Sequence, residues 1–205
     1  MKKNIVLTLT AATLISMSLS ADAAFDYKAA AKAGLQAGAG TTQTSTTTAN
    51  AQLVNSYKSQ INAIVTRGNN LSSTFNNSVN GISNLVLSKS EIAKARGNAA
   101  ANSAAAATKL AEYMVGAQSQ SVSNNVKKLS AAQKSQLTKY VADMKNSMVG
   151  YTSVVKDATA LTAKVSKTPS VAVALSSELN KLKQVNSNAA AQAKLAGALV
   201  STLTK

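Results

Sequence analysis

Large apolar side chains recur at steps of three and four from Val54 through Tyr57, Ile61, Ile64, Gly68, Leu71, Phe75, Ser78 and Ile82 to Leu85, and eight of these ten positions are bulky. A strand would alternate with period two. Steps of three and four put one stripe on one side of an α-helix. The spacing returns at Leu137, Val141, Met144, Met148, Tyr151, Val155, Ala158, Thr162 and Val165. It returns more loosely at Leu175, Leu179, Leu182, Val185, Ala189, Ala193, Ala196, Val200 and Leu203. A chain with this pattern is all-α, and its helices must bury their stripes against one another.

Three start signals divide the helical region. Ser88-Lys89-Ser90-Glu91 and Ser130-Ala131-Ala132-Gln133 are capping boxes, in which the Ser oxygen accepts the N3 amide and the N3 side chain reaches back to the cap amide. Thr168-Pro169 places proline at N1, where its missing N–H costs nothing. The starts lie 42 and 38 residues apart. Each interval holds a helix of roughly 33 to 38 residues, about 50–57 Å long. The first stripe contains Asn69-Asn70, Asn76-Asn77 and Asn80-Gly81, poor helix formers that predict one helix with soft points or two in line. The expected architecture is an antiparallel up-down bundle of four long helices over residues 49–205.

Two of these helices are lean. Ala95, Ala99, Ser103, Ala107 and Ala111 sit four apart on the second, and Ala189, Ala193, Gly197 and Ser201 sit four apart on the fourth. In an up-down bundle the bulky first and third helices are diagonal, and so are the lean second and fourth. The bulky pair would fill the centre and the lean pair would be drawn in close. Ala99→Leu and Ala107→Leu should then both overpack the bundle. An exposed stripe would instead mark where a partner helix or a second copy of the chain docks. The lean run NAAANSAAAATKLAEYMVGA, residues 98–117, has the length of a membrane span. Lys109 and Glu112 within it would cost about 5 kcal/mol near a bilayer centre, more than Leu110, Met114 and Val115 return.

Before the heptads, Lys2 and Lys3, an apolar run from Ile5 to Leu19 and the Ala21-Asp22-Ala23 pattern have the form of a secretory signal peptide over residues 1–23. Residues 24–48, Ala/Gly-rich and then Thr-rich, read as an N-terminal arm and linker. Export to the periplasm or outside a bacterial cell is expected. The chain has no cysteine, so disulfides do not hold it and packing must.

The formal charge is +15, and +14 once residues 1–23 are removed. Such a chain is drawn to anionic partners: lipopolysaccharide, acidic glycans, lipid headgroups or released nucleic acid. Lys127, Lys128, Lys134, Lys139 and Lys145 form the densest basic run and the candidate patch. Only Arg67 and Arg96 offer the guanidinium fork that reads bases, and all tyrosines but Tyr27 lie on or beside apolar stripes. Sequence-specific nucleic-acid binding is therefore not expected.

Chemistry has little to work with. There is no His, no Cys, no Gly-rich phosphate loop and no dinucleotide fingerprint, and the acids after residue 23 stand at least fourteen residues apart. No metal or cofactor is expected. Glu112 and Asp143 look like surface acids, with Lys109 and Lys139 at helical spacing to pair. Ser153-Val154-Val155-Lys156 matches the serine–lysine pattern of penicillin-binding enzymes, but their S-D-N and K-T-G elements are missing. The reading is an exported, non-enzymatic helical protein that serves as a binding or structural module for an anionic envelope component or another protein, with a membrane surface and self-association as further partners. The rival readings are a membrane-active, pore-forming type of protein and a periplasmic chaperone with a basic concave surface.

Overall fold

The computed structural model describes residues 43–116 and 118–205. The expected signal peptide and residues 24–42 of the expected arm lie outside them. The described residues are all-α, with seven helices and no strand: α1 Gln43–Val86, α2 Lys89–Arg96, α3 Ala104–Val115, α4 Ser119–Lys128, α5 Ala131–Ser166, α6 Pro169–Ala174 and α7 Ser176–Leu203.

Three helices are long: α1 with 44 residues, α5 with 36 and α7 with 28. Helix α1 begins at Gln43, inside the run expected as a linker. No Gly or Pro interrupts Gln43–Thr48, and each threonine costs under about 0.7 kcal/mol against alanine, so the helix propagates through them. The asparagine pairs do not divide α1 either. Both capping boxes form: Ser88 Oγ accepts Glu91 N while a Glu91 carboxylate oxygen accepts Ser88 N at 2.7 Å, and Ser130 with Gln133 repeats the arrangement. Pro169 starts α6 at N1, but Thr168 makes no side-chain cap bond, and the helix breaks at Leu175 before α7.

The long helices pack on one another, and cross-helix pairs give their directions. Arg67 meets Asp157 at 2.5 Å, Leu71 lies over Gly150 and Tyr140 lies over Gly81, so α1 and α5 are antiparallel. Lys58 meets Glu178 at 3.3 Å, Val185 lies over Gly68 and Ser72 donates to Gln192 at 2.7 Å, so α1 and α7 are parallel. The expected four-helix up-down order would make α1 and α5 parallel and diagonal. They are instead antiparallel direct neighbours, because residues 89–128 do not cross the bundle. That segment folds back on the C-terminal end of α1: Arg96 Nη2 donates to Asn80 Oδ1 at 3.1 Å, and Asn125 Nδ2 donates to the Val86 carbonyl at 2.9 Å.

The expected second long helix is thus three short ones. Gly97 ends α2 with φ +55°, and Asn102 adopts φ +64°, the left-handed region that Gly and Asn tolerate. Ser103 restarts the helix as N-cap, accepting Ala106 N at 3.1 Å. A second break falls at Gly116, the cap residue of α3. The alanines between Gly97 and Ser103 favour helix, but the stop and start signals flanking them prevail.

The core joins all seven helices. It includes Ile61, Phe75 and Ile82 of α1, Leu110 and Met114 of α3, Met144 and Tyr151 of α5, and Leu182 and Leu199 of α7, all fully buried. Glycines are points of close approach between the long helices. A methyl added at Gly150 would lie 2.6 Å from Leu71 Cδ2, and one at Gly68 would collide with Val185 Cγ1. Helix propensity alone favours alanine at a mid-helix glycine by about 1 kcal/mol. The collision should outweigh it: Gly68→Ala should destabilise by about 1–2 kcal/mol net, read as a lowered midpoint in urea unfolding.

Candidate anionic-partner face and small-residue stripes

The described chain carries eighteen Lys and Arg side chains and five carboxylates. Only two cation–carboxylate pairs form among the described residues, Lys58–Glu178 and Arg67–Asp157, both at seams that α1 makes with its long neighbours. The carboxyl of Glu91 is held below its usual range by the Ser88 amide and then by the Ser88 hydroxyl. That of Glu178 is lowered by its own backbone amide and then by Lys58. Lys109 and Glu112, and Lys139 and Asp143, do not come within ion-pair distance. The basic side chains are therefore mostly free of acids.

The five patch residues, Lys127, Lys128, Lys134, Lys139 and Lys145, are all exposed. They lie on two helices and, on α5, do not share one direction. Lys127 and Lys128 end α4, and the other three lie on α5. At about 100° per residue, Lys139 stands about 140° round the helix from Lys134, whereas Lys145 returns to within about 20° of it. Helix phase thus turns Lys139 to a different side of α5 from Lys134 and Lys145.

The stripe residues are scattered too. Ala107 and Ala111 are fully buried in α3. Ala95 is half-buried on α2, Ala99 lies in the turn and Ser103 is the N-cap of α3. On α7, Ala189 is buried, Ala193 is half-buried, Gly197 lies against Met148 of α5 and Ser201 is exposed. The lean helices also border a common groove through other small residues. Ala104, Ala105 and Thr108 of α3 and Ala191, Leu195 and Ala198 of α7 line an open groove of about 610 Å³, with Glu112 and Lys194 at its walls. Small side chains on both helices leave that space unfilled. The phase of the exposed alanines on α3 was readable in the sequence only with the helix start at Ser103 in hand.

Ser153 is exposed in mid-α5, and its Oγ faces Asp157 Oδ2 at 3.5 Å; Lys156 is exposed beside it. Among the described residues no three acidic side chains gather into a metal-binding group. No described helix is long and apolar enough to cross a membrane.

One buried titratable group went unread in the sequence. The hydroxyl of fully buried Tyr151 has no hydrogen-bond partner of good geometry, although the Ser72 hydroxyl, which donates to Gln192, lies nearby. Burial pushes the phenol up to about 12, and Ser72 offsets this only in part. Tyr151 had looked like any other core position of its heptad.

With the geometry in view, comparison with known proteins adds no relative: no family model, no curated protein and no solved structure matches the chain.

Two outcomes follow from these placements. Ala107→Leu should destabilise by about 1–3 kcal/mol, while Ala99→Leu, in a turn, should stay within about 0.5 kcal/mol of the parent in the same unfolding experiment. Tyr151→Phe should leave stability at neutral pH unchanged or slightly raised, since the lost hydroxyl is unpaired. The folded state holds the phenol proton to about pH 12, while an unfolded tyrosine releases it near pH 10. That contribution is complete below pH 10 and is lost as pH rises from 10 to 12. Denaturation curves across this range should fall less steeply with pH in Tyr151→Phe than in the parent.

Proposed function

We propose that the chain is an exported, non-enzymatic helical protein that binds an anionic component of the cell envelope or its surroundings. Eighteen cationic side chains against five carboxylates, with only two ion pairs among the described residues, is the observation that carries this reading. A fold could tolerate such an excess anywhere on its surface, but self-repulsion makes it costly unless an anion offsets it. The export part rests on the form of residues 1–23. The non-enzymatic part rests on a composition without His or Cys and on a Ser153–Lys156 pair that stands exposed in mid-α5.

In this reading the bundle is a scaffold. Its long helices hold lysines outward at fixed spacing, and no pocket chemistry is needed. Affinity would come mainly from counterion release and would fall steeply with salt. The chain from Ala24 onward, applied at low ionic strength, should be retained on a sulfated-polysaccharide column and on immobilised anionic lipid, and should elute from both as salt rises. Passage through both without retention would overturn the proposal.

A further inference from the structure

Helix α5 carries lysine at positions 134, 145 and 156, and Lys167 caps its C-terminal end. The interval is eleven residues each time. Eleven residues make three turns plus about 20°, so the four lysines form one nearly straight row. The row is about 50 Å long, with one ammonium roughly every 16 Å. All four side chains are exposed, and none has a carboxylate within ion-pair distance among the described residues. The two acids of α5 lie elsewhere on its circumference: Asp157 faces Arg67 of α1, and Asp143 stands about 160° round the helix from Lys145.

The surface between the lysines is small and weakly polar. Ala142, Ala160 and Ala163 lie along it and are exposed. Val149, near its middle, is 73 % exposed, the most exposed large apolar side chain of the described chain. The hydroxyls of Thr138 and Thr152 turn back to the carbonyls of Lys134 and Met148, at 2.9 and 3.0 Å, and so show their methyl sides outward. A hollow lined by Ala160, Asp157 and Lys164 with Gln60 and Ala63 of α1 lies at the edge of this face, off the lysine row, and no tyrosine lies exposed on the face.

We propose that this outer face of α5 rests lengthwise on an anionic lipid surface. The inference depends on the anionic-partner reading above and specifies its site and its partner. A single-file row with charges 16 Å apart would neutralise few groups of a linear polyanion, whose charges lie much closer together, and the face lacks the aromatic stacking platform that holds a strand. A headgroup layer offers an anion under every lysine whatever the spacing. The lysine stems and Val149 reach the headgroup boundary, while Ala and Thr let the helix lie close. Helix α7 has a shorter counterpart in Lys183 and Lys194, also eleven residues apart and exposed, but Lys194 shares the wall of its groove with Glu112. That pair is a control matched in charge and spacing.

The test is co-sedimentation of the chain from Ala24 onward with phosphatidylglycerol-containing vesicles and with pure phosphatidylcholine vesicles, at low salt. Lys145→Glu with Lys156→Glu should weaken binding to the anionic vesicles by about tenfold or more. Lys183→Glu with Lys194→Glu should weaken it by less than about threefold, and pure phosphatidylcholine should bind neither form. Circular dichroism should show both variants folded, since all four positions are exposed. Equal losses in the two variants would overturn the α5 face while leaving an anionic partner in place. Retention on a sulfated polysaccharide or on duplex DNA without binding to anionic vesicles would overturn the lipid surface, again leaving the broader reading intact. Failure to bind any of them would overturn both.

Discussion

Three bulky side chains rest directly on glycines of neighbouring helices: Val185 over Gly68, Leu71 over Gly150 and Tyr140 over Gly81. A glycine lets another helix approach by the width of a missing Cβ, and a side chain seated there fixes both separation and register. Two of these contacts join α1 to α5, one near the middle of their overlap and one toward the C-terminal end of α1, and the third joins α1 to α7. The ion pairs and the Ser72–Gln192 hydrogen bond fall in the same register, so polar and apolar contacts agree on one alignment. Everything outward of this seam depends on it, including the phase at which each lysine of α5 meets solvent.

Residues 89–128 adapt to that seam rather than forming it. They are too interrupted to run the length of the bundle, and they close one end by burying Ile92, Leu110, Met114 and Val122 against the long helices. Their buried face is complete at α3, where Ala106, Ala107, Leu110, Ala111 and Met114 are all fully covered. On the outer side of the same helix the small residues meet those of α7 and stop short of filling the space between. The alanine-rich run therefore divides its roles: packing on one side, an open groove on the other, and a turn at its start.

Local signals carried the elements well. The capping boxes at Ser88 and Ser130 state where α2 and α5 begin, and the heptad from Leu137 to Val165 states which face of α5 is buried. These are short-range effects, written in a few adjacent residues. Directions and neighbours are not local. Whether α5 runs with or against α1 depends on whether residues 89–128 cross the bundle, and that turned on Gly97, Asn102 and Gly116 against a background of strong helix formers. The glycine seats were harder still. Gly68 appeared as a gap in a heptad, because the side chain that fills it comes from Val185, more than a hundred residues away. The candidate basic run divides by direction for a related reason: on a helix five residues turn a side chain about 140° away, while eleven bring it back to within about 20°.

The excess of positive charge acquires direction only through this rigid frame, since a lysine row has meaning only if its helix is straight and its phase is held. The arrangement of the long helices is thus the central claim, and a chain without cysteine permits a clean measurement of it. Spin labels at Ser59→Cys and Ser177→Cys, both exposed, report the distance between the start of α7 and the region of α1 that pairs with it. Parallel α1 and α7, joined there by Lys58 and Glu178, predict a pulsed electron–electron distance centred below about 25 Å, allowing for label length. An antiparallel pair would displace these sites by most of the length of α7, and a distance near 40 Å, about 28 residues at 1.5 Å each, would contradict the arrangement.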